Sequence, residues 1–110
     1  MPFLLFYITH PDEPTARRIA DLAVQQRLAA CANIFPIAST YWWAGSIQTE
    51  AEWVSILKTR PELEQALEDC IRAAHPYDVP CLLRFEVRAN AAYEQWIAES
   101  TRAGDENSLS

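Results

Sequence analysis

From Phe3 to Thr9 the chain is almost unbrokenly apolar, and the run stops at His10-Pro11-Asp12. A short apolar run without polar alternation predicts a strand covered on both faces, and therefore a central one. Asp12 is placed to cap a helix, Pro14 is tolerated in its first turn, and Ala16, Ile19, Ala20 and Ala23 recur at helical spacing to about Arg27. Ala30 to Trp43 and Ser46 to Arg60 are rich in Ile, Val, Thr, Tyr and Trp, with Ala44-Gly45 the only turn signal between them. This predicts a hairpin with arms of about 14 residues, or ~45 Å, long enough to overhang a small domain. Pro36 has no N–H to give a ladder, so it marks either a bulge or an edge position.

Pro61 opens a second helix, in which Leu63, Ala66, Leu67, Cys70, Ile71 and Ala74 form one apolar stripe. His75 precedes Pro76, which disfavours helical dihedrals and ends the helix at Ala74 or His75. Cys81, Leu83, Phe85 and Val87 alternate with Arg84, Glu86 and Arg88, predicting a half-buried strand with the first set inward. Asn90 caps a last helix carrying Tyr93, Trp96 and Ile97.

The order β-α-β-β-α-β-α predicts an α+β fold, a ferredoxin-like βαββαβ sandwich with an extra C-terminal helix. Residues 1–100 read as one domain, and the polar stretch 101–110 as a disordered tail. In this topology the last strand runs antiparallel to the first. His10, His75, Asp78 and Cys81 are then expected at one edge of the sheet.

The formal charge of −6 with a single lysine argues against nucleic acid and anionic membrane as partners, since both need clustered cations. The apolar runs fall short of the ~20 residues of a membrane span, so a soluble, cytoplasmic protein is expected. Three cysteines, Cys31, Cys70 and Cys81, stand far apart without a C-x-x-C pair, so reduced thiols are expected rather than a disulfide framework or a zinc finger. With only Gly45 and Gly104 there is no glycine-rich phosphate loop. A Cys81-His75-Asp78 hydrolytic triad lacks any sign of an oxyanion hole or nucleophile elbow, so no enzymatic activity is read from the chain.

The candidate chemistry centres on "HPYDVP", residues 75–80. Two imidazoles, His10 and His75, with the soft sulfur of Cys81 suit copper(I) or zinc better than magnesium or calcium. Each has a plain structural alternative. His75 also suits the negative end of a helix dipole, Asp78 an Asx turn, and Cys81 a small apolar contact. Tyr41, Trp42, Trp43 and Trp53 put large rings on both hairpin faces, which points to burial in an oligomer. Glu50 and Glu52 share a strand face with Lys58, as a solvated charge pair or the lining of a cleft between subunits.

"RLAACANIFP", "YWWAG", "ILKTR", "HPYDVP" and "NAAYEQWI", in this order and spacing, resemble the CutA divalent-cation tolerance family from about Phe3 to Ile97. The resemblance implies a homotrimer whose long hairpins wrap neighbouring subunits, a role in tolerance to copper or other divalent metal ions, and weak, non-enzymatic metal binding. It carries no catalytic residues. The family's trimer also looks like that of the PII signal proteins. The alternative is thus a small-ligand sensor or interaction scaffold, with intersubunit clefts around Lys58, Glu52, Tyr77 and Asp78. The chain departs from the family pattern at Cys81, where a carboxylate is common, and at Ile8 and Ala74, where some members carry cysteine and histidine.

Overall fold

The structure, a computed structural model, describes residues 1–102. Strand β1 (Phe3–His10) leads into helix α1 (Glu13–Gln25), strands β2 (Cys31–Trp43) and β3 (Ser46–Thr59), helix α2 (Glu64–Ala74), strand β4 (Leu82–Val87) and helix α3 (Ala91–Ser100). One antiparallel four-stranded sheet has the order β2-β3-β1-β4, the ferredoxin-like arrangement, with the apolar strand β1 inside it as expected. Asp12 caps α1 by accepting a hydrogen bond from the Thr15 N–H at 2.8 Å. A short 3-10 turn, Pro61–Leu63, precedes α2, which ends at Ala74 before the proline-restricted His75.

Helices α1 and α2 cover one face. Leu4, Phe6 and Ile8 of β1 and Leu57 of β3 point into it and meet Ile19, Ala20 and Ala23 of α1 and Leu67 and Ile71 of α2. The β2–β3 register runs without interruption from Cys31↔Lys58 to Trp43↔Ser46, so Pro36, opposite Trp53, is no bulge. It is tolerated because β2 is the sheet's edge. The hairpin closes through Ala44 and Gly45 with φ values of 50° and 81°, the left-handed pair that a two-residue turn needs to match strand twist. Its far half extends past the helices and stretches the molecule to 53 Å along its long axis.

Strand β4 reverses the expected facing. The helix-covered side holds Leu82 and Arg84, while Leu83 and Phe85 are 49% and 50% exposed on the uncovered side. The reason is Arg84. Its guanidinium lies 4.9 Å from the Phe6 ring centre and forks to Glu64 at 2.6 Å and Glu68 at 2.5 Å, both on α2. An arginine satisfied on that side leaves the apolar set to the other. Cys81, expected to open β4 inward, precedes the strand and is exposed. Thr101, at the start of the expected tail, is 2% exposed and receives hydrogen bonds from Arg60 to both Oγ1 and its carbonyl, each at 3.0 Å. The rest of that stretch, 103–110, lies outside the described residues.

Candidate functional site: an imidazole pair at the end of the central strand

His10 is the last residue of β1 and is fully buried on the helix side of the sheet. Its Nε2 lies 2.7 Å from Oγ of the equally buried Ser55, which stands on β3 opposite Ile8. Its Nδ1 has no hydrogen-bond partner among the described residues. His75 leaves the end of α2 with extended dihedrals, φ −81° and ψ 137°, which turn it back toward β1. Its Nδ1 accepts the Tyr77 N–H at 3.1 Å, and so Nε2 carries the proton and donates it to the Thr9 carbonyl at 2.8 Å.

The two rings stack with centres 5.2 Å apart and planes at 24°. Burial, and secondarily the neighbouring His75, lowers the pKa of His10 to about 4. His10 is thus a neutral imidazole at neutral pH with an unused nitrogen, stacked on His75, whose Nδ1 accepts a hydrogen bond. The corner also reaches outward. The Tyr77 ring lies 4.9 Å from His75, and its hydroxyl donates to Glu52 Oε2 at 3.0 Å on the overhanging part of β3. Burial and the Glu52 carboxylate hold the Tyr77 phenol well above its ordinary pKa.

Of the expected metal ligands, His10 and His75 come together. Cys81 does not join them in a ligand cluster: among the described residues no group of three His, Cys, Asp or Glu side chains is placed to hold a metal ion. Of the expected cleft residues, Glu52 and Tyr77 are hydrogen-bonded to each other. Lys58 stands six residues along β3 from Glu52, roughly 20 Å away at strand rise, and donates to the Tyr93 hydroxyl at 3.1 Å. Asp78 is exposed and lines a separate cleft of about 280 Å³ with Glu68, Arg72 and Arg84. Within one chain the four residues form no single cleft. The sequence reading passed over Ser55, whose only signal is one polar residue in the apolar run "WVSIL". It also passed over the Thr9 carbonyl, which no side-chain pattern reports.

The β2-β3-β1-β4 sheet with two helices on one face, and a histidine pair where the central strand ends, define a ferredoxin-like α+β protein. The chain belongs to the CutA1 divalent ion tolerance protein family, whose family model matches residues 4–100. It is 38% identical over 100 residues to the divalent-cation tolerance protein CutA of Pyrococcus horikoshii, a match covering 90% of this chain and 98% of the relative. It is 40% identical over 104 residues to the chloroplastic protein CutA 1 of rice, covering 93% of this chain but only 59% of that longer relative. Among solved structures, the rice CutA1 crystal structure superposes with a TM-score of 0.89 at 40% identity, covering 94% of this chain and 96% of that one. The periplasmic divalent cation tolerance protein CutA of Archaeoglobus fulgidus gives 0.88 at 38% identity, with 91% and 99% covered. The family resemblance carried by "HPYDVP" and its companion motifs is thereby borne out.

Proposed function

We propose that this protein contributes to divalent-cation tolerance by binding copper or a similar ion weakly and without catalysis, as a homotrimer. The observation that carries the metal reading is the stacked His10–His75 pair, with His10 Nδ1 buried and unpartnered. An imidazole nitrogen without a hydrogen bond, walled off from water, favours any partner that can take its lone pair. His75 offers a second nitrogen only after Nδ1 releases the Tyr77 N–H. Two imidazoles suit copper and zinc rather than hard cations, and a set short of three ligands per chain fits weak binding.

The trimer reading rests on the uncovered sheet face and the hairpin. Leu83, Phe85, Trp42, Trp43 and Ile47 are 49%, 50%, 72%, 70% and 61% exposed, an apolar area that a lone chain would present to water. The free thiols Cys31, Cys70 and Cys81 suit a reducing compartment, and we place the protein in the cytoplasm on that ground, although the names of relatives include chloroplastic and periplasmic forms. No described helix is long and apolar enough to cross a membrane.

Copper and zinc titrations of the reduced protein by calorimetry, with light scattering on the same sample, test both parts. Saturable binding that is lost in His10→Gln and His75→Gln, on particles of three chains, is the expected result. Binding that survives both substitutions would remove the imidazole pair from the site.

A further inference from the structure

The two imidazoles are both tied through Nε2, but the ties differ in kind. His75 Nε2 meets the Thr9 carbonyl at 2.8 Å, a group that only accepts, so that nitrogen must carry the ring proton. His10 Nε2 meets the Ser55 hydroxyl at 2.7 Å, a group that can donate or accept. Ser55 therefore serves either form of the His10 ring. It donates to a bare Nε2 and accepts from a protonated one.

Ser55 is also well fixed. Strand β3 lies inside the sheet, and Ser55 is paired there with Ile8 of β1 on one side and Ile34 of β2 on the other. His10 stands opposite Trp53, two residues along β3, which makes it the diagonal neighbour of Ser55 on the same face. Both side chains are fully buried, on a face otherwise built from Leu4, Phe6, Ile8 and Leu57. A hydroxyl in such a place is unfavourable unless it is hydrogen-bonded, and His10 Nε2 provides the bond. An apolar residue, which the surrounding run "WVSIL" favours at position 55, would leave the ring without it.

We propose that His10 takes an ion through Nδ1, and that Ser55 is the positioning residue that accepts the Nε2 proton this mode of coordination requires. The proposal rests on the imidazole-pair reading. A neutral imidazole has one proton and one lone pair, on opposite nitrogens. Presenting the lone pair at the unpartnered Nδ1 puts the proton on Nε2, where without Ser55 it would be a buried donor with no acceptor. Coordination through Nε2 would instead have to displace Ser55 from a strand that is paired on both sides. Metal-ligating imidazoles characteristically donate their other N–H to a fixed acceptor. The Thr9 carbonyl has that part for His75 and the Ser55 hydroxyl for His10, so the pair offers an ion two Nδ1 atoms.

The test uses the reduced, assembled protein, isotope-labelled and titrated with zinc, which is diamagnetic. Long-range proton–nitrogen correlation spectra show, for each ring, which nitrogen holds the ion and which the proton. His10 is expected to bind through Nδ1 and to keep its Nε2 proton. Ser55→Ala should weaken zinc binding by roughly 10–100-fold. Ser55→Thr, which keeps a hydroxyl, should recover most of that loss. Coordination through Nε2, an affinity that Ser55→Ala leaves unchanged, or a loss that folded Ser55→Thr does not recover overturns the proposal while leaving the imidazole pair as the site. Where neither variant folds, the spectrum of the parent decides. A parent that binds no zinc, or binds it away from His10, overturns the imidazole-pair reading and this assignment with it.

Discussion

The inverted face of β4 makes assembly testable. Leu83 and Phe85 are half exposed in the single chain, so a neighbour that covers them removes the remaining half of each from water. Fully burying such a side chain is worth ~1.5–3 kcal/mol, so the uncovered halves contribute about 1 kcal/mol each and the pair about 2 per chain. For the proposed trimer that is about 6 kcal/mol, or ~10⁴ in the constant for dissociation to monomers. Because that constant scales with the square of concentration, the half-dissociation point of Leu83→Ser/Phe85→Ser should rise by ~10². Sedimentation velocity over a dilution series reads this directly. Leu57→Ala is the control: Leu57 is fully buried on the helix face, so the substitution should lower chain stability by ~2–5 kcal/mol and leave the dilution series unmoved. A double variant with the parent's dilution curve, or a Leu57→Ala protein that dissociates equally, would refute the assignment of this face.

Two further outcomes concern the imidazole pair. His10 titrates at about 4 in the folded chain against 6.5 when free, so the unfolded state binds the extra proton first. Its contribution is therefore fully present above pH 6.5 and is lost as pH falls toward 4, amounting to about 3 kcal/mol. Denaturant midpoints of the parent and His10→Gln across this range should converge on acidification; a constant gap would show that His10 is not the titrating group. Ser55→Ala removes the partner of His10 Nε2 and leaves both ring nitrogens buried without a bond, which should lower stability by ~1–3 kcal/mol in urea with an unchanged slope. A loss well under that range would mean that the ring finds another partner.

Most of the fold was legible because its strongest signals are local. The apolar run 3–9, the proline at position 61 and the Asp12 cap each act through near neighbours, and the elements lie within a residue or two of expectation, save that Pro61 opens a 3-10 turn and α2 itself starts at Glu64. The facing of β4 was not. Period-two alternation says that two faces differ, but which one meets the helices was decided by Arg84, whose partners Glu64 and Glu68 are 20 and 16 residues away. The site was legible in part for the same reason. Antiparallel topology alone carries His75 to the end of β1, so the two histidines could be paired from sequence. Cys81 was set at the same edge by the same topology; it lies just before β4 and is exposed, and joins no three-ligand cluster among the described residues. The bonds that set the tautomer of His75 involve the Thr9 carbonyl and the Tyr77 N–H, groups that every residue type shares.

Those backbone bonds also give the proposed metal reading its internal logic. His75 is already satisfied, so an ion taken up between the rings must displace the Tyr77 N–H from Nδ1, and that exchange subtracts a buried hydrogen bond, ~1–3 kcal/mol, from the affinity. On the proposed reading this exchange adds to the short ligand set in keeping binding weak. The displaced residue is Tyr77, whose hydroxyl holds Glu52 on the hairpin arm that overhangs the helices. On the proposed reading, capture of an ion at the end of β1 would be linked through this one tyrosine to the hairpin at Glu52. Linkage works in both directions: on the same reading, anything that fixes the hairpin on a neighbouring chain and strengthens the Tyr77–Glu52 bond would weaken the proposed metal site by the same free energy. Tyr77→Phe, which lacks the hydroxyl but keeps the N–H, uncouples the two, so a metal affinity that depends on assembly in the parent should become independent of it in this variant.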